Sequence, residues 1–534
     1  MSAITLYDTT LRDGSQREGI SLSVEDKLRI AHRLDQIGVH FIEGGWPGAN
    51  PKDVQFFWEL KKQPLRHTQV VAFCSTRRPG CAAANDDLLS HVLAAGTSWV
   101  TIFGKSWDLH VKDSLKTTLP ENLAMIQDTI AYLRSQGRRV IYDAEHFFDG
   151  YRHNPAYALA TLECAQASGA EWLVLCDTNG GMLPTQIQAM MAGLADRMQV
   201  PLGIHTHNDA GTAVANALVA VEQGVRMVQG TINGYGERCG NANLCTLIPN
   251  LQLKLGHTCL TPEHLPLITD LSRFVSEVVN LAPDDHWPFV GRSAFAHKGG
   301  IHVSAVAKNP LTYEHIDPEQ VGNLRRVLVS EQAGVSNILE KARDLALDLT
   351  RDDPRVRQIL KRVKDLELLG YQFEAAEASF ALLVYEGLQN RLPWFTLEGF
   401  SVTTQTFPDQ SVRCEATVKV RLTEERRTGG TSLLQHVAAD GNGPVAALDC
   451  ALRKALQEFY PEVGQFKLTD YKVRILDSPS GTQAKTRVLV ESSDGTTRWH
   501  TVGVSSNIIE ASYQAVVEGI EYGLLLRQRQ AVAP

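Results

Sequence analysis

The sequence predicts a TIM (β/α)8 barrel, followed by a helical linker region and a C-terminal α+β domain of duplicated βββα units. Short apolar, β-branched segments alternate eight times with helix-length amphipathic segments over the first half of the chain. Eight βα repeats in about 250 residues are typical of this barrel. After residue 395 the pattern changes to short alternating strands, and two similar strand–helix sets follow one another.

The barrel strands are predicted from runs bounded by turn residues. They are residues 3–8, 40–44, 69–74, 98–103, 139–144, 172–176, 200–205 and 225–230. Amphipathic helices are predicted between them, for example over 23–37, where Ser23 and Asp26 resemble an N-cap start, and over 155–168. A doubly wound open sheet is the alternative fold. It fits less well because no G-x-G-x-x-G follows the first strand.

Three domains are expected, with the barrel over 1–265, helical subdomains that contribute to the active site over 266–394, and the last domain over 395–534. The stretch 334–385 has a charged amphipathic helix pattern. The first repeat of the last domain is predicted as strands 396–405, 411–422 and 431–439 with helix 444–458. The second is predicted as strands 466–476, 484–491 and 497–504 with helix 507–526. The two helices are offset by 63 residues. Regulation or dimerisation is the expected role of such a repeat.

Composition narrows the class of protein. The chain has 534 residues and a formal net charge of -8, which argues against nucleic acid or an anionic membrane as a partner. No apolar run reaches the length of about 18 residues that a membrane helix needs, and the first residues lack the basic and apolar regions of a signal peptide. Nine cysteines without a C-x-x-C pair predict reduced thiols and a cytoplasmic location.

Polar residues follow six of the predicted strands, at the end where barrel enzymes place their active sites. His205 and His207 are two positions apart on strand seven, so their side chains point to the same side. Alone, the pair could equally be two surface histidines. With Asp13 after strand one and Asn241 after strand eight, it predicts a site for a divalent cation, Zn²⁺, Mn²⁺, Co²⁺ or Mg²⁺.

Other residues at the same end have a catalytic and a structural interpretation. Arg12 would stabilise a developing alkoxide beside a cation-bound ketone, or form a structural salt bridge. Glu145 at the end of strand five is a candidate acid, base or positioning group. Thr178 would bind a substrate carboxylate, or cap the following helix. The glycines at 234, 236 and 240 resemble a phosphate-binding loop, or only allow the loop to place Asn241.

Four segments together resemble the DRE-TIM metallolyases, and within them the 2-isopropylmalate, homocitrate and citramalate synthase branch. They are DTTLRDGSQ, HTHND, GERCGNANL and HKGGIHVSAV. The resemblance implies Asp13, His205 and His207 as metal ligands, Asn241 as an additional ligand, and Arg12 with Glu145 as a catalytic pair. It further implies that Thr178 and Gln16 bind the 2-oxo acid, that His302 reaches the active site from a partner subunit, and that Tyr313 lies near coenzyme A.

The resemblance also implies an acyltransferase reaction, the condensation of acetyl-CoA with a small 2-oxo acid. EGGWPGANPKD and HVSAV are most similar to the longer citramalate synthases, which implies pyruvate as co-substrate, (R)-citramalate and CoA as products, and a place in isoleucine biosynthesis. A homodimer with isoleucine as allosteric inhibitor is expected. His302 and Glu145 both remain candidates for the base. The alternatives are 2-isopropylmalate or homocitrate synthesis, a lyase, and a non-catalytic metabolite sensor.

Overall fold

The computed structural model describes residues 2–532 except 331–332, 346, 348, 389–392, 423–432, 477–480 and 482. The chain forms two compact units. The first consists of Met1–Phe295 and His315–Arg325, and the second of Ala296–Glu314 and Arg326–Pro534. The chain therefore crosses between the units near residues 295, 314 and 325. The expected boundaries at 265 and 394 stay a prediction.

The first unit contains a closed barrel of eight parallel strands. They are β1 (Thr5–Asp8), β2 (Phe41–Gly45), β3 (Gln69–Ser75), β4 (Trp99–Lys105), β5 (Arg139–Glu145), β6 (Trp172–Asp177), β7 (Leu202–Thr206) and β8 (Met227–Gly230). Each strand pairs with the next, and β1 closes the barrel by pairing with β8. Every strand overlaps the segment predicted for it, so the predicted TIM barrel is confirmed.

The helices of the first unit alternate with these strands. They are α1 (Val24–Ile37), α2 (Pro51–Lys62), α3 (Asp87–Ala95), α4 (Asp108–Asp113), α5 (Leu119–Ser135), α6 (Phe147–His153), α7 (Pro155–Ala167), α8 (Pro184–Met191), α9 (Leu194–Arg197), α10 (Ala213–Glu222), α11 (Leu244–Pro249) and α12 (Ile268–Val278). The predicted start of α1 is a capping box, in which the Ser23 hydroxyl accepts from the Asp26 amide and the Asp26 carboxylate accepts from the Ser23 amide. The helix ends at Gly38, whose φ of +89° favours glycine.

Every second side chain of a strand points into the barrel, because side chains alternate between the two faces of a strand. Successive inward residues therefore form two layers in the interior. The lower layer is apolar and contains Tyr7, Phe41, Val71, Trp99, Ile141, Val174 and Met227. Two positions further along four of these strands lie buried polar residues, namely Glu43, Thr101, Asp143 and Gln229. The polar layer therefore lies on the side of the strand ends, between the apolar layer and the mouth of the barrel.

The second unit begins with small elements and a helical region. These are β9 (Ala296–His297), α13 (Gly300–Val306), β10 (Arg326–Val327), α14 (Val335–Asp344), α15 (Pro354–Leu368) and α16 (Glu377–Gly387). The last three confirm the helix pattern predicted over 334–385, in which residues 346 and 348 lie outside the described chain. They pack around a small apolar core that includes Ile338, Ile359 and Val384.

The rest of the second unit is a duplicated βββα arrangement, as predicted. The first repeat is β11 (Phe395–Thr406), β12 (Val412–Leu422), β13 (Leu433–Gly441) and α17 (Pro444–Leu456), and the second is β14 (Lys467–Ile475), β15 (Thr486–Ser493), β16 (Arg498–Ser505) and α18 (Ile508–Val532). Residues 431–432 of the third predicted strand lie outside the described chain. Each repeat has an antiparallel sheet with its central strand second in sequence, and each first strand carries a register shift. Within the part of the chain that the structure describes, no helix is both long and apolar enough to span a membrane.

Candidate active site

Four predicted ligands meet at the mouth of the barrel. Asp13 follows β1, His205 lies on β7, His207 follows that strand, and Asn241 forms an isolated β-bridge with His207. The two imidazole Nε2 atoms are 3.2 Å apart. Asp13 Oδ2 lies 3.5 Å from Nε2 of His205 and 3.8 Å from Nε2 of His207. Asn241 Nδ2 lies 3.4 Å from His205 Nε2, so all four buried side chains surround one point.

The donor set fits a divalent cation. Asp13 Oδ1, His207 Nδ1 and Asn241 Oδ1 are buried and have no hydrogen-bond partner among the described residues. Nitrogens bound to one ion at about 2.1 Å lie about 3.0 to 3.4 Å apart in octahedral or tetrahedral geometry, and the histidine pair falls in that range. A half-turn of the Asn241 carboxamide directs its oxygen to the same point. One carboxylate, two imidazoles and an amide oxygen are ligands for zinc, manganese, cobalt or magnesium.

The charges at this point favour cation binding. Burial by itself would raise the pKa of Asp13, but Arg12, His205 and His207 together hold it well below its usual range. Burial, and then the neighbouring His205, lowers the pKa of His207 to about 3. At neutral pH the site therefore offers a carboxylate and an unprotonated His207 ring, the forms that coordinate metal ions.

Arg12 is held in one orientation by three groups. Its Nε donates to Glu43 Oε1 at 2.5 Å, and its guanidinium carbon lies 3.9 Å from the centre of the Phe73 ring. Its Nη1 lies 3.4 Å from Asp13 Oδ2. Glu43 also accepts a hydrogen bond from Tyr7 Oη at 2.6 Å. The Arg12–Glu43 salt bridge thus holds the guanidinium beside the ligand cluster, so the structural and catalytic interpretations are compatible.

The side chains at the ends of strands five and six make local contacts. Glu145 ends β5 and forms an ion pair with Lys105, the last residue of β4. Thr178 Oγ1 accepts a hydrogen bond from the His146 amide at 2.9 Å, where His146 has a φ of +56°. Thr178 thus supports the turn after β5 rather than the helix that follows β6. Gln16 is exposed on the short helical turn after Asp13.

The glycine-rich loop after β8 is shaped to place Asn241. Gly236 has a φ of +156°, and a Cβ atom there would lie 2.1 Å from Asn241 Oδ1. Gly240 has a φ of +90°, and its Cβ would lie 2.0 Å from the Gly234 carbonyl oxygen. These contacts favour the structural interpretation of the glycines. A cavity of about 540 Å³ beside the loop is lined by Arg17, Tyr235, Asn241 and neighbouring residues.

His302 and Tyr313 belong to the second unit. His302 lies on α13, and its ring centre is 4.2 Å from that of Tyr313. Ile301, Leu311 and Tyr313 expose apolar surface in the same segment. The roles that the resemblance implies for His302 at the barrel site and for Tyr313 near coenzyme A stay predictions.

The sequence interpretation did not identify the polar layer below the ligands. His205 Nδ1 lies 2.8 Å from Gln229 Oε1, and Gln229 Nε2 donates to Asp143 Oδ1 at 3.1 Å. Burial, and then the charge of Glu43, raises the pKa of Asp143 to about 7. A usable signal exists, since Glu43, Asp143 and Gln229 each follow an apolar inward residue by two positions. The period of the strand therefore points them into the barrel.

Fold and site define the chain as a barrel enzyme with a candidate metal site and a separate C-terminal repeat domain. Residues 3–275 match the family described as HMGL-like, residues 289–368 match a homocitrate synthase post-HMGL domain-like family, and residues 374–524 match the LeuA allosteric (dimerisation) domain. The first of these families covers about half of the chain, and the barrel and the repeat domain occupy the regions that match.

Relatives of full length identify the particular family. An (R)-citramalate synthase of Synechocystis sp. is 65% identical over 98% of this chain and 97% of its own length, and one of Geobacter sulfurreducens is 52% identical over 98% of both. A probable 2-isopropylmalate synthase of Methanopyrus kandleri is 31% identical over 97% of both chains. The chain belongs to the (R)-citramalate synthase family. The expected enzyme class is confirmed, and the 2-isopropylmalate alternative is less supported.

Proposed function

We propose that this chain condenses the acetyl group of acetyl-CoA with pyruvate, giving (R)-citramalate and CoA. The proposal rests on the buried cluster of Asp13, His205, His207 and Asn241 beside Arg12, in a chain that has full-length relatives named (R)-citramalate synthases. Two oxygens of a 2-oxo acid, one from the carboxylate and one from the ketone, match the chelating chemistry of such a cluster.

The cation held by Asp13, His205, His207 and Asn241 would supply Lewis acidity toward the ketone. Mn²⁺, Mg²⁺, Zn²⁺ and Co²⁺ are the candidates. Arg12 stabilises the alkoxide charge that develops on the ketone oxygen, because Glu43 and Phe73 already hold its guanidinium in place. Removing a donor of this kind costs about 100- to 1,000-fold in rate in comparable sites.

The remaining steps need a base and a water molecule. The base removes a proton from the acetyl methyl group, with Glu145 and His302 as candidates, and the carbon–carbon bond forms between that methyl carbon and the ketone carbon. The ketone oxygen becomes an alkoxide and takes up one proton, which balances the proton that the base removed. Water then adds its hydroxyl to the thioester carbon, and CoA leaves with the proton as free thiol. We assign Thr178 and Gln16 to pyruvate binding and Tyr313 to acetyl-CoA binding.

The repeat domain is the basis for proposing regulation and assembly. Its match to a LeuA allosteric (dimerisation) domain supports a homodimer, and isoleucine is the proposed inhibitor because citramalate would feed its synthesis. Inhibition would follow from coupling between the two sites. A cytoplasmic location is part of the proposal, supported by nine unpaired cysteines, most of them buried or partly buried.

CoA release, measured as free thiol, tests the proposal. The full chain is assayed with acetyl-CoA, Mn²⁺ and one of pyruvate, 2-oxoisovalerate or 2-oxoglutarate, each with and without a chelator. A preference for pyruvate that the chelator abolishes is expected. A preference for 2-oxoisovalerate would overturn the assigned substrate and move the enzyme to leucine synthesis, while full activity with chelator would overturn the metal site.

A further inference from the structure

The two ring nitrogens of His205 face different surroundings. Nε2 faces Asp13, His207 and Asn241, whereas Nδ1 faces Gln229 inside the barrel. A neutral imidazole carries its proton on one nitrogen only, and a ligand nitrogen must be the one without it. We propose that Asp143 and Gln229 are positioning residues, which keep the proton of His205 on Nδ1 and leave Nε2 free to bind the cation. This inference rests on the proposed function, since it assumes a cation at Nε2.

The direction of the hydrogen bonds follows from the Gln229 carboxamide. Its nitrogen only donates and its oxygen only accepts. Asp143 Oδ1 accepts whether or not the other carboxyl oxygen carries a proton, so Gln229 Nε2 faces Asp143 and Oε1 faces His205. His205 Nδ1 must then be the donor. Turning the carboxamide around would place its oxygen opposite an acceptor oxygen of the ionised Asp143 carboxylate and would put the histidine proton among the ligands.

Burial makes other orientations of these side chains unfavourable. Asp143, Gln229 and His205 are 4%, 1% and 5% exposed, so bulk water has little access to an amide or ring that turns the wrong way. The chain of hydrogen bonds runs from β7 to β8 and on to β5. Neither β7 nor β8 pairs with β5, so the bond between Gln229 and Asp143 crosses the interior of the closed barrel.

The dissociation constant of Mn²⁺ tests the inference without relying on activity. It is measured on the full chain by competition with a fluorescent chelator, with circular dichroism and thermal unfolding to check the fold. Gln229→Met removes both hydrogen bonds and is expected to weaken Mn²⁺ binding by about 10- to 100-fold, the range for partners of metal ligands. The matched control is Gln252→Met, which removes two hydrogen bonds to the Leu260 backbone elsewhere in the unit. It is expected to leave Mn²⁺ binding unchanged.

Two further variants test the direction of the bonds with little change of shape. Asp143→Asn introduces a donor opposite Gln229, which allows the carboxamide to turn, and is expected to weaken binding. In the double variant Asp143→Asn with Gln229→Glu, the introduced carboxamide donates to the introduced carboxylate, and that carboxylate in turn accepts from His205 Nδ1. The double variant is therefore expected to recover most of the lost affinity.

The outcomes separate this inference from the proposed function. If the wild type binds Mn²⁺ and Asp13→Ala abolishes binding, the metal site stands. Wild-type affinity in both Gln229→Met and Asp143→Asn would then overturn the positioning role alone. A double variant that binds Mn²⁺ no more tightly than Asp143→Asn would also overturn it. If Asp13→Ala binds as tightly as the wild type, the metal site of the proposed function fails first.

Discussion

The barrel and the repeated C-terminal sheets bury different kinds of side chain. The buried face of β12 is made of Cys414, Ala416, Val418, Val420 and Leu422. The polar layer of the barrel is made of Glu43, Thr101, Asp143 and Gln229, and the buried His205 contacts it. An antiparallel sheet with one covered face can turn its polar residues to the outer side. A closed barrel encloses its inner face, so polar residues there must satisfy one another.

The difference indicates what each region is built to do. Buried polar groups reduce stability unless they are paired, so a layer of them is retained where a site needs oriented ligands. The repeat sheets gain stability from apolar packing against their helices. Changes in the barrel layer should therefore affect metal binding and activity, whereas changes in the repeat core should affect stability.

Removing a ligand tests the barrel half of this comparison most severely. His207→Ala is expected to lower the rate of CoA release by more than about 100-fold. That is the upper end of the range for residues that only support a metal ligand. It deletes an imidazole that is unprotonated at neutral pH and therefore ready to bind a cation. The control is His286→Ala, because the side chain of His286 is highly exposed. Loss of activity in the control, or activity retained in His207→Ala, would contradict the assignment.

A cavity in the repeat core should lower stability and leave activity unchanged. Leu452 on α17 is fully buried, and Leu452→Ala is expected to destabilise the repeat domain by about 2–5 kcal/mol. CoA release per folded molecule should stay at its wild-type value. Leu434→Ala is the control, because Leu434 is 48% exposed and its truncation creates no internal cavity. Calorimetry of the full chain measures the stability of both variants. Equal losses of stability in the two variants would contradict the assigned core.

A steric change in the glycine-rich loop should have a smaller effect on the metal site. Gly236→Ala would place a methyl group against the Asn241 carboxamide, 2.1 Å from the present position of Oδ1, and displace that predicted ligand. Mn²⁺ binding is expected to weaken by about 10- to 100-fold, while His205, His207 and Asp13 remain. Gly19→Ala is the matched control, since Gly19 also has a positive φ but has nothing within 4 Å of the added atom. Equal affinities in the two variants would show that Asn241 does not contribute.

The sequence predicted these two regions to different depths. All eight barrel strands and both repeats follow from periodicity, because period-two runs and their turn residues are local signals. The predicted ligands could be grouped since His205 and His207 lie two positions apart at the end of β7, and Asp13 and Asn241 follow the strands that close the barrel. The bond between Gln229 and Asp143 joins strands that are not neighbours. Which polar residues meet across a closed interior depends on side-chain packing, and local spacing does not encode it.

The pH dependence of stability offers the finest test of the barrel's buried polar groups. Asp8 is fully buried, and burial raises its pKa from 3.8 to about 7, although Thr10 donates two hydrogen bonds to it. The folded chain therefore keeps this proton up to about pH 7, whereas the unfolded chain releases it near 3.8. The stabilising contribution is fully present below 3.8 and declines as pH rises toward 7.

Asp8→Asn cannot titrate, so its Tm relative to the wild type should increase from pH 4 to pH 7 and then stay level. The change is expected to be several degrees in the unfolding transition of the barrel, since each pKa unit corresponds to about 1.4 kcal/mol. Asp143 and the other carboxyl groups are common to both proteins, so their contributions largely cancel in the difference. The control is Asp196→Asn, measured over the same pH range, because Asp196 is exposed. A constant difference between Asp8→Asn and the wild type would show that Asp8 ionises as readily in the folded barrel as in the unfolded chain.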